Sequence, residues 1–137
     1  MPGTELTVSN LFKLVDTCNQ CAFTFGVASG QISNDAFRRF SDEFRRTLDR
    51  FVFELQTEIR RIDGTDLETP RIYVEDSSDG KSLLQRCEVT FRAMVDAYET
   101  IQAAGIPPHA RAMVQRQSRA LENLKKQFEE TVMPATV

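Results

Sequence analysis

Residues Lys81 to Phe128, KSLLQRCEVTFRAMVDAYETIQAAGIPPHARAMVQRQSRALENLKKQF, read as two amphipathic helices joined by the breaker Ala104-Gly105-Ile106-Pro107-Pro108. In the first, Leu84, Cys87, Phe91, Met94, Val95, Tyr98 and Ile101 recur in steps of one, three and four. That spacing places them on one face of a helix with 3.6 residues per turn. Gly105 suits a left-handed helix end, and Pro107 and Pro108 suit a first turn, where a missing N–H removes no intrahelical bond. The second helix carries Ala110, Met113, Val114, Gln117, Leu121, Leu124 and Phe128 on its inward face. The two stripes predict a helical hairpin over about 81–104 and about 107–130, one wall of a four-helix bundle.

Upstream, Val8, Leu11, Val15, Cys18, Ala22 and Phe25 trace a core-facing seam that predicts a helix over about 6–29, with Gly30 as a left-handed cap. Ser33, Asn34 and Asp35 then offer N-caps for the clearest stripe in the chain, Phe37, Phe40, Phe44, Leu48, Phe51, Leu55, Ile59 and Ile62. Those eight residues predict a helix over about 35–62. Its other face mixes Arg38, Arg39, Asp42, Arg45, Arg46, Asp49 and Arg60, the pattern of a solvated surface. Asp63-Gly64 ends the helix, and roughly 16 to 18 residues with Pro70, Ser77, Ser78 and Gly80 precede the next. Extended, that segment reaches well over about 50 Å, whereas a 28-residue helix is about 42 Å long. It can run the length of the bundle, with Ile72, Tyr73 and Val74 gripping the surface. A strand at Arg71 to Glu75 is also open, although no second strand is visible to pair it.

The 137 residues fit one domain, 1–137, and no second core is required. A net charge of -3 and a pI near 5.2 argue against nucleic-acid binding by phosphate neutralisation. No apolar run is long enough to span a bilayer, so no membrane association is expected. Met1 to Leu6 lacks the basic and apolar regions of a secretory signal. With three cysteines, an odd number, a reducing cytoplasm is the expected compartment.

Four long helices raise the question of a di-iron or di-manganese carboxylate site, which takes a Glu from two helices and Glu-x-x-His from the others. Three residues after Glu43, Glu54, Glu58 and Glu122 stand Arg46, Thr57, Arg61 and Lys125, never histidine. The only histidine, His109, falls in the first turn of the last helix, too far along the bundle to share a site with Cys87 or Glu88. Cys18-Asn19-Gln20-Cys21 has redox spacing but sits in mid-helix, away from a helix N-terminus that would favour a thiolate. Buried, inert thiols are expected there, and a zinc site lacks a fourth ligand.

Gln117 within one stripe and Glu88 at the edge of another are the polar intruders, and a buried amide requires partners. If the hairpin is antiparallel, Glu88, Tyr98 and Gln117 approach one another. They are the expected polar cluster, read as a structural network or the remnant of a ligand site. No phosphate-binding loop or Ser/His/Asp set is present, so no catalytic residue and no cofactor is expected. Phe23 and Phe53 fall off the stripes, which suits packing beneath the long connection or a homodimer contact.

Phe51-Val52-Phe53-Glu54-Leu55 with Glu58, Arg60 and Arg61, then Cys87-Glu88, Tyr98, Ile106-Pro107-Pro108 and Arg116-Gln117, give a chain that resembles a bacterial family of ferritin-like four-helix-bundle proteins of unassigned function. The resemblance covers most of the chain and implies an all-α ferritin-like bundle with a long crossover between the second and third helices. The family pattern places acidic residues near the positions of Ala22 and Phe23 and a histidine near Lys125. This sequence departs from it at both places, which puts the family's metal chemistry in doubt here and leaves Glu88 and Gln117 as remnants. The expected role is non-catalytic, stress-related or adaptor-like, exercised through a surface, a protein partner or self-association. The alternatives are a metal-binding or oxidase-type relative with an incomplete site, and a small-ligand-binding bundle.

Overall fold

A computed structural model describes residues 2–63 and 82–132 of the chain. Four helices form, α1 (Pro2–Gln31), α2 (Asp35–Asp63), α3 (Leu83–Ala103) and α4 (Pro108–Val132), and no strand occurs among the described residues. The candidate strand at Arg71 to Glu75 and the expected crossover both lie outside the described residues.

The ends of these helices follow local chemistry. Pro2 opens α1 at a position where its missing N–H costs no bond, so the helix begins about four residues before the expected start and six before Val8, the first residue of the apolar seam. Gly30, expected as a left-handed cap, instead stays helical. The Ile32 N–H reaches the Ala28 carbonyl at 2.8 Å, continuing the regular pattern, and among the described residues only Gly105 has a positive φ, 76°. Of the three N-cap candidates for α2, Asn34 does the work, its Oδ1 accepting the Phe37 N–H at 2.9 Å. Ser82 caps α3 in a reciprocal box with Gln85, which moves the start of α3 to Leu83.

Leu6 and Asn10 of α1, Ile62 of α2, Ala104 to Pro107 after α3 and Ala110 of α4 share one end of the molecule. Phe25, Phe37, Phe40, Phe44, Phe91 and Phe128 meet towards the other. Hence α1 and α4 run in one direction and α2 and α3 in the opposite one. Each of α1 and α4 packs against both α2 and α3, so the two parallel pairs occupy the diagonals. Small inward residues such as Cys18, Cys21 and Ala28 let α1 approach its neighbours closely, and the Arg45 guanidinium lies against Gly26, where an added Cβ would meet it at 3.3 Å.

The core follows the stripes read from the sequence. Seven of the eight α2 stripe residues are buried, and Ile62 at the helix end is half-buried. On α1, Cys21 is buried and Ala22 half-buried, a slight rotation of the predicted seam. The Phe25 ring lies 4.8 Å from Phe44 and 5.3 Å from Phe128, both edge-on, so each burial of about 1.5–3 kcal/mol is reinforced by favourable ring geometry.

Candidate functional site

A chain of polar side chains crosses the middle of the bundle. The Tyr98 hydroxyl donates to Oε1 of Gln117 at 2.6 Å, and Gln117 Nε2 donates to Glu54 Oε1 at 3.0 Å and to the Phe51 carbonyl at 3.4 Å. Glu54 in turn accepts two hydrogen bonds from Arg116, at 2.8 and 3.4 Å, at the protein surface. The single tyrosyl proton is committed to Gln117. The contact between Cys18 Sγ and the Tyr98 oxygen at 3.5 Å therefore runs with the thiol as donor. The sequence Cys18, Tyr98, Gln117, Glu54, Arg116 thus passes from a fully buried thiol to an exposed guanidinium, drawing on all four helices.

Burial dominates the acid–base behaviour of the inner members. It pushes the Cys18 thiol up to about 12, against the smaller opposing effect of the Tyr98 hydrogen bond. Cys21 is raised well above the usual thiol range, by burial first and then by the neighbouring Cys18 and Cys87. The Tyr98 phenol is raised likewise, chiefly by burial. At neutral pH all three groups keep their protons, so Cys18 and Cys21 are not poised as nucleophiles or thiolate ligands. Desolvation also acts on Glu54, but hydrogen bonds from Arg116 and Gln117 and the charges of Arg116 and Arg50 outweigh it and hold this carboxyl below the usual range.

A second polar cluster lies where α2 ends and α4 begins. Glu58, 4% exposed, accepts from Arg61 Nε at 2.6 Å and Nη2 at 2.9 Å, and lies 2.8 Å from His109 Nδ1. Both partners reach it from solvent, with side chains 57% and 73% exposed. The Arg61 hydrogen bonds are the main reason that the Glu58 carboxyl titrates below the ordinary glutamate range.

Of the residues expected to converge, Tyr98 and Gln117 are bonded to each other, and Glu88 is elsewhere. It is exposed, ten residues before Tyr98 and hence about 15 Å away along α3, at the rim of a groove of about 530 Å³ floored by Phe91, Val95 and Phe128. Glu54 and Glu58 were not singled out for these clusters, although Glu58 continues the alternating spacing of Phe44, Leu48, Phe51, Leu55 and Ile62. That register was the available sign that its carboxylate points inward. Phe53 is 68% exposed, whereas Phe23 is half-buried.

The donor set in mid-bundle does not fit a di-iron or di-manganese centre. Such metals take several carboxylate oxygens and imidazoles, but the inward groups are thiols, a phenol and an amide. The nearby carboxylate of Glu54 is engaged by Arg116 and Gln117. Among the described residues no group of three His, Cys, Asp or Glu side chains is placed to hold a metal ion.

The chain matches no protein-family model, no curated protein and no solved structure. Among the described residues no helix is long and apolar enough to cross a membrane.

Proposed function

We propose that this chain is a non-catalytic ferritin-like bundle of the cytoplasm that acts as an interaction module, with a crossover returning from the end of α2 to the far end of α3. The observation that carries the reading is the Tyr98–Gln117–Glu54 hydrogen-bond chain. It uses the amide and carboxylate capacity of the bundle's centre internally, where iron-handling bundles turn oxygen and nitrogen donors toward metal. The parallel, diagonal placement of α2 and α3 supports the topology, because their connection has to regain the full length of the bundle. Self-association through the outer face of α2 is part of the proposal: Phe53 stands exposed there among Arg46, Asp49, Arg50 and Thr57.

A metal-binding or oxidase-type relative with an incomplete site is the competing reading, and iron(II) oxidation in air separates the two. The interaction-module reading expects oxidation no faster than in buffer, and saturable acceleration by the protein would overturn it. Light scattering during size exclusion tests self-association. A dimer weakened by Phe53→Ser is expected, and a monomer at high concentration removes that part of the reading.

A further inference from the structure

The end of the bundle opposite the phenylalanine cluster holds a cleft of about 540 Å³, within the size range of small-molecule sites. Leu6, 59% exposed, and Ile106 give it an apolar side. Asn10, Glu58 and Arg61 give it a polar one.

Asn10 is the informative residue. It is 7% exposed, and its residual exposure opens into the cleft. An amide kept there offers both donors and an acceptor to whatever enters. Beside it, Arg61 commits two of its five N–H groups to Glu58 and retains three. Glu58 Oε1 accepts from Arg61 alone and keeps a free lone pair. Ala110, in the first turn of α4, adds an N–H with no intrahelical acceptor.

We propose that this cleft binds a small zwitterion with an apolar tail, of the class of an α-amino acid with an aliphatic side chain. Arg61 and Glu58 set opposite charges side by side, with His109 on Glu58 Oε2, so a zwitterion presents a carboxylate to the remaining Arg61 N–H groups and an ammonium to Glu58 Oε1, whereas a singly charged ligand makes one of these contacts. The Asn10 amide bonds to either end of the head group, and the aliphatic tail covers Leu6 and Ile106. The mid-bundle cluster takes no part.

The test is an amide-resolved NMR titration of the full chain with L-leucine, 4-methylpentanoate and 3-methylbutylamine. The expected result is saturable shifts around Leu6, Asn10, Arg61 and Ala110 with L-leucine, and binding about tenfold weaker or more for each singly charged analogue. Asn10→Leu is expected to weaken L-leucine binding by a similar factor while the protein stays folded. Arg61→Gln, at a largely exposed side chain, gives the same loss should Asn10→Leu fail to fold. No saturation by L-leucine up to on the order of 10 mM, equal binding of 4-methylpentanoate, or unchanged affinity in both variants would overturn the proposal.

Discussion

The Tyr98 hydroxyl and the Gln117 carboxamide, on adjacent antiparallel helices, meet at 2.6 Å in a part of the bundle that excludes solvent from both. Three of the four hydrogen-bonding positions of that amide are in use: Oε1 accepts from Tyr98, and Nε2 donates to Glu54 and to the Phe51 carbonyl. The pair joins the α3–α4 hairpin to α2, and through Cys18 to α1. It sets the register of all four helices at one level.

Gln117→Leu removes the amide and strands the Tyr98 hydroxyl in an apolar setting. A loss of about 1–3 kcal/mol is expected, the cost of an unsatisfied buried donor. Adding Tyr98→Phe removes the stranded group, so the double variant should lose less than the sum of the two single ones. Urea unfolding of the four proteins measures the coupling, and strict additivity would mean that the two side chains act independently.

The phenylalanine cluster predicts a contrast between two aromatic truncations. Phe25 is fully buried against rings from all three other helices, so Phe25→Ala should cost about 3–5 kcal/mol through lost transfer energy and a residual cavity. Phe53 is largely exposed, and Phe53→Ala should stay within about 0.5 kcal/mol in the monomer. Thermal and urea unfolding at low protein concentration distinguish the two.

Acid should destabilise the fold through two carboxylates. Arg61 first, with His109, lowers the Glu58 carboxyl against the cost of desolvation, while at Glu54 desolvation is outweighed by Arg116 and Gln117. An unfolded glutamate titrates near about 4.3, so on acidification the unfolded chain takes up protons before the folded one does. The contribution is therefore complete above the ordinary glutamate range and is lost as pH falls through the depressed folded values. Denaturant unfolding between about pH 5 and pH 3 should show a decline that is shallower in Glu58→Gln. A decline of equal slope would assign the acid sensitivity to other groups.

The buried thiols give a kinetic prediction. Cys18, Cys21 and Cys87 are all buried and in no disulfide, with Cys18 pushed up to about 12. An aromatic disulfide reagent should find almost no reactive thiol in the native protein and all three after unfolding. Rapid native reaction of even one would show an opening of α1 or α3 that the packing does not contain.

The helices were legible because their apolar residues keep one period over many turns. Phe37 to Ile59 shows this best, every stripe residue proving buried. The helix ends were less legible, since Gly30 permits a left-handed turn without requiring one, and regular bonding carries the helix past it. Gln117 stood out as an amide inside an apolar stripe. Glu54 and Glu58 did not, because a carboxylate beside arginines resembles a solvated ion pair until the partner helix is placed. His109 and Arg116, which complete those clusters, lie 51 and 62 residues away in sequence. Glu88 was misplaced for the converse reason: the edge of a stripe faces the core or the solvent according to how the helix is rotated, and rotation is set by packing.

The most direct test of the account is the metal content of untagged protein purified from cells without chelators. With a centre made of thiols, a phenol and an engaged amide, iron, manganese and zinc should each fall well below one equivalent per chain. One or two tightly held irons per chain would contradict it.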